Sequence, residues 1–290
     1  MARFEGIYTA IVTPFTSTLE VDYGRLEEHV AWLIEQGVQG IIPTGSLGEY
    51  ASMTEHERAK VVETVAKVTA GKVDLVVGSA SPSTKQAVKW VQHAKDHGAA
   101  GVMALPPINY RPRKNEIIAH YEALSSVGLP IIAYNNPFDT AVDLTPDLLA
   151  ELAQIEQVVA VKEFSADVRR IPEILEKCDL EVLVGLDDML YEGVLAGGTG
   201  WIGGLSNTFP KECAELYSLS RTGKLTEAFA LYQKLLPLFR YDSKPILVQA
   251  IKYTMDLAGM PMGGTRPPRL PLTEEEYREI EAAYKLAAGK

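Results

Sequence analysis

Lys162 closes the run Val158-Val159-Ala160-Val161, an apolar and mostly β-branched stretch that reads as a strand buried on both faces. Burial favours the uncharged amine, so a lysine placed there falls below its ordinary pKa of about 10.4 and can attack carbonyls near neutral pH. The plainer alternative is a lysine that pairs with a carboxylate or snorkels to the surface. Tyr134, in Tyr134-Asn135-Asn136-Pro137, ends another apolar run and brings a phenol that could donate or accept a proton, although many such tyrosines only cap a core. In Thr44-Gly45-Ser46-Leu47-Gly48-Glu49 the glycines let the backbone turn tightly and point successive N–H groups at an anion such as a carboxylate. An ordinary glycine-containing turn would look the same. Together, an amine, a phenol and a carboxylate seat are the groups that making and breaking a carbinolamine requires.

The elements that must position these groups follow from periodicity. Short apolar runs recur over 6–12, 38–43, 73–78, 101–105, 130–134, 158–162, 181–185 and 200–205, with amphipathic stretches such as 23–36, 54–69, 84–97, 115–126, 145–155 and 210–222 between them. Eight strands alternating with helices predict an α/β fold, a (β/α)8 TIM barrel over residues 1–222. An open doubly wound sheet uses the same alternation, and the strand count favours the barrel. Stretches 224–238, 245–259 and 273–288 predict a C-terminal three-helix extension over 223–290. In such a barrel the chemistry lies at the C-terminal ends of strands, where Ser46, Tyr134 and Lys162 fall.

Other patterns carry less. Gly198-Thr199-Gly200-Trp201-Ile202-Gly203 matches GxGxxG, but its strand lies within the glycines rather than before them, so a dinucleotide site is not expected. Gly71-Lys72 and Gly223-Lys224 lack the Ser or Thr of a phosphate loop. His29, His56, His93, His97 and His120 form no HExxH pair, and no metal is expected. Asp187-Asp188 could be paired acids or the start of a helix. A formal net charge of -10 and a pI near 5.1 speak against nucleic acid or an anionic membrane surface as partner. Cys178 and Cys213 stand far apart, outside any CxxC pattern, and suggest neither disulfides nor zinc. With no basic segment before an apolar one at the start and no run long enough to span a bilayer, a cytoplasmic protein is expected.

These residues resemble the dihydrodipicolinate synthase and N-acetylneuraminate lyase superfamily of Schiff-base-forming barrels, over nearly the whole chain. The likeness rests on Gly45-Ser46-Leu47-Gly48-Glu49, Tyr134-Asn135-Asn136-Pro137, Val161-Lys162-Glu163 and Gly185-Leu186-Asp187. It implies that Lys162 forms an imine with a pyruvate-like 2-oxo acid and that Tyr134 shuttles protons at the bond made or broken. It also implies that Ser46, with the N–H groups of Ser46 and Leu47 in the turn to Gly48, holds the carboxylate, and that Ile202 lines the pocket through its carbonyl. No organic cofactor or metal is implied, because the protonated imine is the electron sink. A homo-oligomer, tetramer or dimer, is the usual state of the family.

Departures from the family pattern bear on the reaction. Leu47 stands where a threonine is usual, leaving Ser46 as the hydroxyl of that turn; Asn109 stands where true synthases carry a second relay tyrosine, with Tyr110 one place off. Asp139 replaces an arginine that binds the second substrate's carboxylate, and a carboxylate there repels it. These changes argue against lysine biosynthesis. They lean toward a catabolic branch, such as the deaminase that converts 1-pyrroline-4-hydroxy-2-carboxylate to ammonia and 2,5-dioxopentanoate, or a 4-hydroxy-2-oxo acid aldolase. The alternatives are 4-hydroxy-tetrahydrodipicolinate synthase and a barrel that binds 2-oxo acids without catalysis.

Overall fold

The apolar runs become the staves of a closed parallel barrel in strand order β1 to β8. The computed structural model describes residues 4–289. The strands are β1 (Gly6–Ala10), β2 (Gly40–Ile42), β3 (Asp74–Gly78), β4 (Gly101–Ala104), β5 (Ile131–Asn135), β6 (Val158–Glu163), β7 (Glu181–Val184) and β8 (Gly200–Gly203). Around them run α1 (Tyr23–Glu35), α2 (Glu55–Thr69), α3 (Thr84–Asp96), α4 (Lys114–Ser125), a short α5 (Pro137–Thr140), α6 (Pro146–Leu152), α7 (Arg170–Lys177), α8 (Leu190–Leu195) and α9 (Pro210–Arg221). The helix α5 is a single turn just after β5, too short to leave a periodic signature in the sequence. The extension consists of α10 (Leu225–Phe239), α11 (Leu247–Leu257) and α12 (Glu274–Ala288). Among the described residues no helix is long and apolar enough to cross a membrane.

β1 pairs with both β2 and β8, which removes every sheet edge. Glycine is required where the barrel interior is most crowded: a Cβ on Gly40 would overlap the Tyr8 ring, and one on Gly203 would overlap the Trp201 ring and Asp187 Oδ1. Helix starts follow local chemistry. Thr54 and Glu57 form a capping box at α2, as Thr273 and Glu276 do at α12. The apolar core continues from the strands into the extension without a break, and Phe239 of α10 lies edge-on to Trp201 of β8 at 6.2 Å.

The extension also grips the 44–49 turn. The Glu49 carboxylate is fully buried, 3.0 Å from the ammonium of Lys252 in α11, and accepts the backbone N–H of Arg266 at 3.0 Å. Lys252 also donates to the carbonyl of Gly264 at 2.7 Å and lies 4.2 Å from the Phe15 ring. Removing Lys252 leaves the buried Glu49 carboxylate with the Arg269 guanidinium, 3.8 Å away, as its remaining counter-charge. Lys252→Met is therefore expected to lower unfolding free energy by about 3 kcal/mol, with Glu49→Gln in the same chain restoring part of it. Chemical denaturation of the single and double variants checks this; a single variant as stable as the parent contradicts it.

Candidate active site

Tyr134 and Lys162 meet because of one irregularity in the sheet. β5 and β6 begin with Ile131 opposite Val158, but the register shifts by one residue between Ile131 and Ile132, so that Tyr134 faces Lys162. Without that shift Tyr134 would lie opposite Val161, and the alternation of side chains would turn Lys162 away from the barrel interior. Paired in register, the two side chains share a face: Lys162 Nζ sits 4.4 Å from the centre of the Tyr134 ring and 5.5 Å from that of Phe164. The next residue, Glu163, takes the opposite face. There its carboxylate accepts from Asn135 Nδ2 at 3.0 Å and from the Ser165 N–H at 2.7 Å.

Lys162 is buried and makes no hydrogen bond or ion pair within the described chain. Burial pulls its pKa down, and the carboxylates of Asp242, Asp187 and Asp139 pull it partly back. The Tyr134 hydroxyl accepts a hydrogen bond from Asn136 Nδ2 at 3.2 Å, which leaves its proton free for a partner in the cavity. Burial and the nearby charge of Asp242 push the phenol well above its ordinary pKa, so it stands protonated beside the amine.

The 44–49 turn is held in a demanding conformation. Thr44 and Glu49, at its two ends, both have φ 58, in the left-handed region. Thr44 is fixed by its hydroxyl, which donates to the Gly78 carbonyl at 3.0 Å, and Glu49 by the extension. Between them, the backbone N–H groups of Ser46 and Leu47 find no acceptor within the described chain. Adjacent free donors at a strand end make a seat for an anion.

These groups open onto a cavity of about 430 Å³ lined by Ser46, Leu47, Tyr134, Lys162 and the glycines after Ile202, Gly203 and Gly204. From the extension come Asp242, Lys244 and Arg269, and from the helical turn after β5 comes Asp139. Asp242 lies in the segment joining α10 to α11, and its carboxylate accepts the backbone N–H of Asp187 at 2.9 Å. Desolvation raises the Asp242 pKa to about 6, with Lys162 opposing the rise. Asp187 is also pushed up by burial and by Asp242, although it accepts the N–H groups of Gly204 and Leu205 at 3.0 and 2.8 Å.

Asp242 thus supplies the main charge that holds the Lys162 ammonium against desolvation. Asp242→Asn removes that charge, so the lysine pKa falls further and the neutral amine persists to lower pH. The ascending limb of the pH profile for imine formation is expected to move to lower pH; an alkaline displacement, or none, contradicts this.

The structure brings Lys162, Tyr134, Ser46 and Leu47 to one cavity, and places the other expected residues differently. Gly48 does not line it; a Cβ there would stand 3.1 Å from the Ile11 carbonyl, so the glycine serves the tightness of the turn. Ile202 is fully buried in β8, and the lining begins one residue later. Asp187 holds the loop after β8 through two backbone N–H groups instead of facing the cavity. Asn109 is exposed with φ 75, away from the lining, and Tyr110 beside it is 52% exposed. Sequence reading missed Asn136 and Asp242. Asn136 lay inside a quoted motif, two residues from the tyrosine it serves, whereas Asp242 lies outside every recognisable pattern.

Comparisons with known proteins agree with this architecture. The family model described as the dihydrodipicolinate synthetase family matches residues 3–287. The 4-hydroxy-tetrahydrodipicolinate synthases of a Jannaschia species and of Methanosphaerula palustris are each 36% identical to this chain, covering 98% and 96% of it and 98% and 97% of their own lengths. The crystal structure of dihydrodipicolinate synthase from Thermotoga maritima superposes with a TM-score of 0.92 at 31% identity, over 99% of both chains. That of the enzyme from Cyanidioschyzon merolae with lysine bound gives 0.93 at 28%, again over 99% of both. With the match running almost end to end, the chain belongs to the dihydrodipicolinate synthetase family, whose members are lyases that work through a lysine Schiff base without a cofactor.

Proposed function

We propose that Lys162 forms an imine with the keto carbon of pyruvate or a close 2-oxo acid, and that the resulting enamine condenses with an aldehyde as in 4-hydroxy-tetrahydrodipicolinate synthesis. The observation that carries the reading is a buried, unpaired amine beside a protonated phenol, next to free backbone donors. The carboxylate of the 2-oxo acid sits on the N–H groups of Ser46 and Leu47 with the Ser46 hydroxyl nearby. Neutral Lys162 attacks C2, and Tyr134 protonates the departing hydroxyl as water leaves the carbinolamine. The protonated imine acidifies C3, and loss of that proton gives the enamine nucleophile.

The names of the relatives favour condensation over the deamination toward which Leu47, Asn109 and Asp139 lean. Charge at the second substrate's place is mixed. Asp139 is exposed and held by Asn136 Nδ2 at 2.8 Å, while Lys244 and Arg269 line the same cavity and can meet a carboxylate. The barrel supplies the lysine, the tyrosine and the turn, and the extension after residue 222 supplies Asp242, Lys244 and Arg269. That division of labour is how we read the two parts of the chain.

A second reading, a deaminase or aldolase acting on a 4-hydroxy substrate, keeps its support in Asp139 standing where synthases carry an arginine. Steady-state assays with pyruvate plus aspartate semialdehyde, 1-pyrroline-4-hydroxy-2-carboxylate and 4-hydroxy-2-oxo acids separate the two. The highest kcat/KM on the first pair supports the proposal, and turnover of the others alone moves it to the second reading. The same reading includes a cytoplasmic homo-oligomer, with the exposed Tyr110 and Phe138 as apolar surface available to a second copy. Light scattering on the purified protein reads the oligomeric state.

A further inference from the structure

On the outer face of the barrel, away from the cavity, Glu63 of α2 converges with His93 of α3 and His97 at the C-terminal cap of that helix. One ligand atom from each lies within 4.8 Å of the others, the one such group of three among the described residues. His93 Nε2 is 3.8 Å from Glu63 Oε1, and the imidazole rings of His93 and His97 are 4.3 Å apart. We propose that Glu63, His93 and His97 bind a divalent transition metal ion of the zinc type, which clamps the end of α3 to α2 and keeps at least one position for water.

The spacing is suitable on physical grounds. Residues i and i+4 lie on one helix face, so His93 and His97 project together, as paired histidine ligands do in helical zinc sites. Nδ1 of His97 lies 2.8 Å from the His93 carbonyl, which can only accept, so Nδ1 carries the proton and Nε2 is left with a free lone pair. A carbonyl partner of that kind orients metal-binding histidines in general. Ligands held at about 2.0 to 2.1 Å from zinc stand roughly 3.3 Å apart, so side-chain rotation of about an ångström closes the set. All three side chains are partly exposed and free to make that adjustment.

Electrostatics point the same way. The C-terminal end of α3 carries the negative end of its dipole, and Asp96 adds charge beside His93. One cost is visible: His93 Nδ1 is buried without a hydrogen-bond partner, so the proton moved there on binding finds no acceptor. That should weaken the site about 10- to 100-fold relative to one with every polar group satisfied.

The test is calorimetric titration of metal-stripped full-length protein with Zn²⁺, repeated on Glu63→Gln, His93→Asn and His97→Gln, each checked for native circular dichroism and for imine trapping. One equivalent per chain is expected, with at least a ten-fold loss of affinity in His97→Gln and His93→Asn. Zn²⁺ should also raise the melting temperature of the parent by a few degrees but not that of Glu63→Gln. Cu²⁺ gives an independent readout, because the Trp90 ring is 5.7 Å from that of His93 and its fluorescence should be quenched; Trp90→Phe should lose the quench. No stoichiometric binding, or binding that all three substitutions leave unchanged, overturns the site. Imine formation is unaffected by either result.

Discussion

Lys162→Ala is expected to lower turnover on the order of 10⁴-fold or more, with the fold and melting temperature close to those of the parent. The loss is large because no other described amine is placed to replace it. Lys244 lines the same cavity but stands exposed with its ammonium 4.2 Å from the Tyr241 ring, whereas the buried Lys162 ammonium sits 4.4 Å from the Tyr134 ring. Stability should survive because the lysine makes no hydrogen bond or ion pair for the substitution to break, and its burial already costs the folded state. Rate and thermal unfolding measured on one preparation test both halves. Substantial residual turnover would move the chemistry off this residue.

Tyr134→Phe should lower kcat by about 10²- to 10⁴-fold while leaving KM for pyruvate near its parent value. The ring that packs 4.4 Å from Lys162 Nζ is retained, and only the hydroxyl is lost. Imine formation should slow without vanishing, since attack by the amine does not require the phenol and water can serve, less effectively, as the acid in dehydration of the carbinolamine. A raised KM with unchanged kcat would instead make Tyr134 a binding group. Asn136 offers an internal comparison: its Nδ2 donates to the phenol oxygen at 3.2 Å, so Asn136→Ala should share the kcat loss in weaker form.

The strands were legible because a barrel stave buried on both faces must be continuously apolar, and the runs ending at Lys162, Tyr134 and the 44–49 turn are. The extension was legible from helical periodicity alone. What brings Tyr134 opposite Lys162 was not, because a register shift between Ile131 and Ile132 leaves no trace in composition or spacing. Asp242 escaped for a related reason: it follows the end of α10 in sequence and returns to the cavity only through tertiary packing. Asn109, which resemblance to the family pattern puts beside the relay, is exposed with φ 75 and outside the cavity lining of this chain. The Glu63, His93 and His97 cluster could not be read either, since its carboxylate comes from a different helix from its imidazoles.

Placement of the arginine-to-aspartate change at Asp139 also alters its meaning. As a lone substitution it argues for repulsion of a carboxylate-bearing partner, yet Lys244 and Arg269 stand on the same cavity. The charges facing a second substrate are therefore mixed in sign, and the substrate assays decide between condensation and deamination.

On the proposed mechanism, Lys162 is the amine that forms the imine. Borohydride reduction of the enzyme in the presence of pyruvate, followed by proteolysis and peptide mass mapping, tests it most directly. The account predicts one reduced pyruvate adduct per chain, located on Lys162 and absent when borohydride is omitted. An adduct on another lysine, or none at all under conditions where the enzyme turns over, would contradict it.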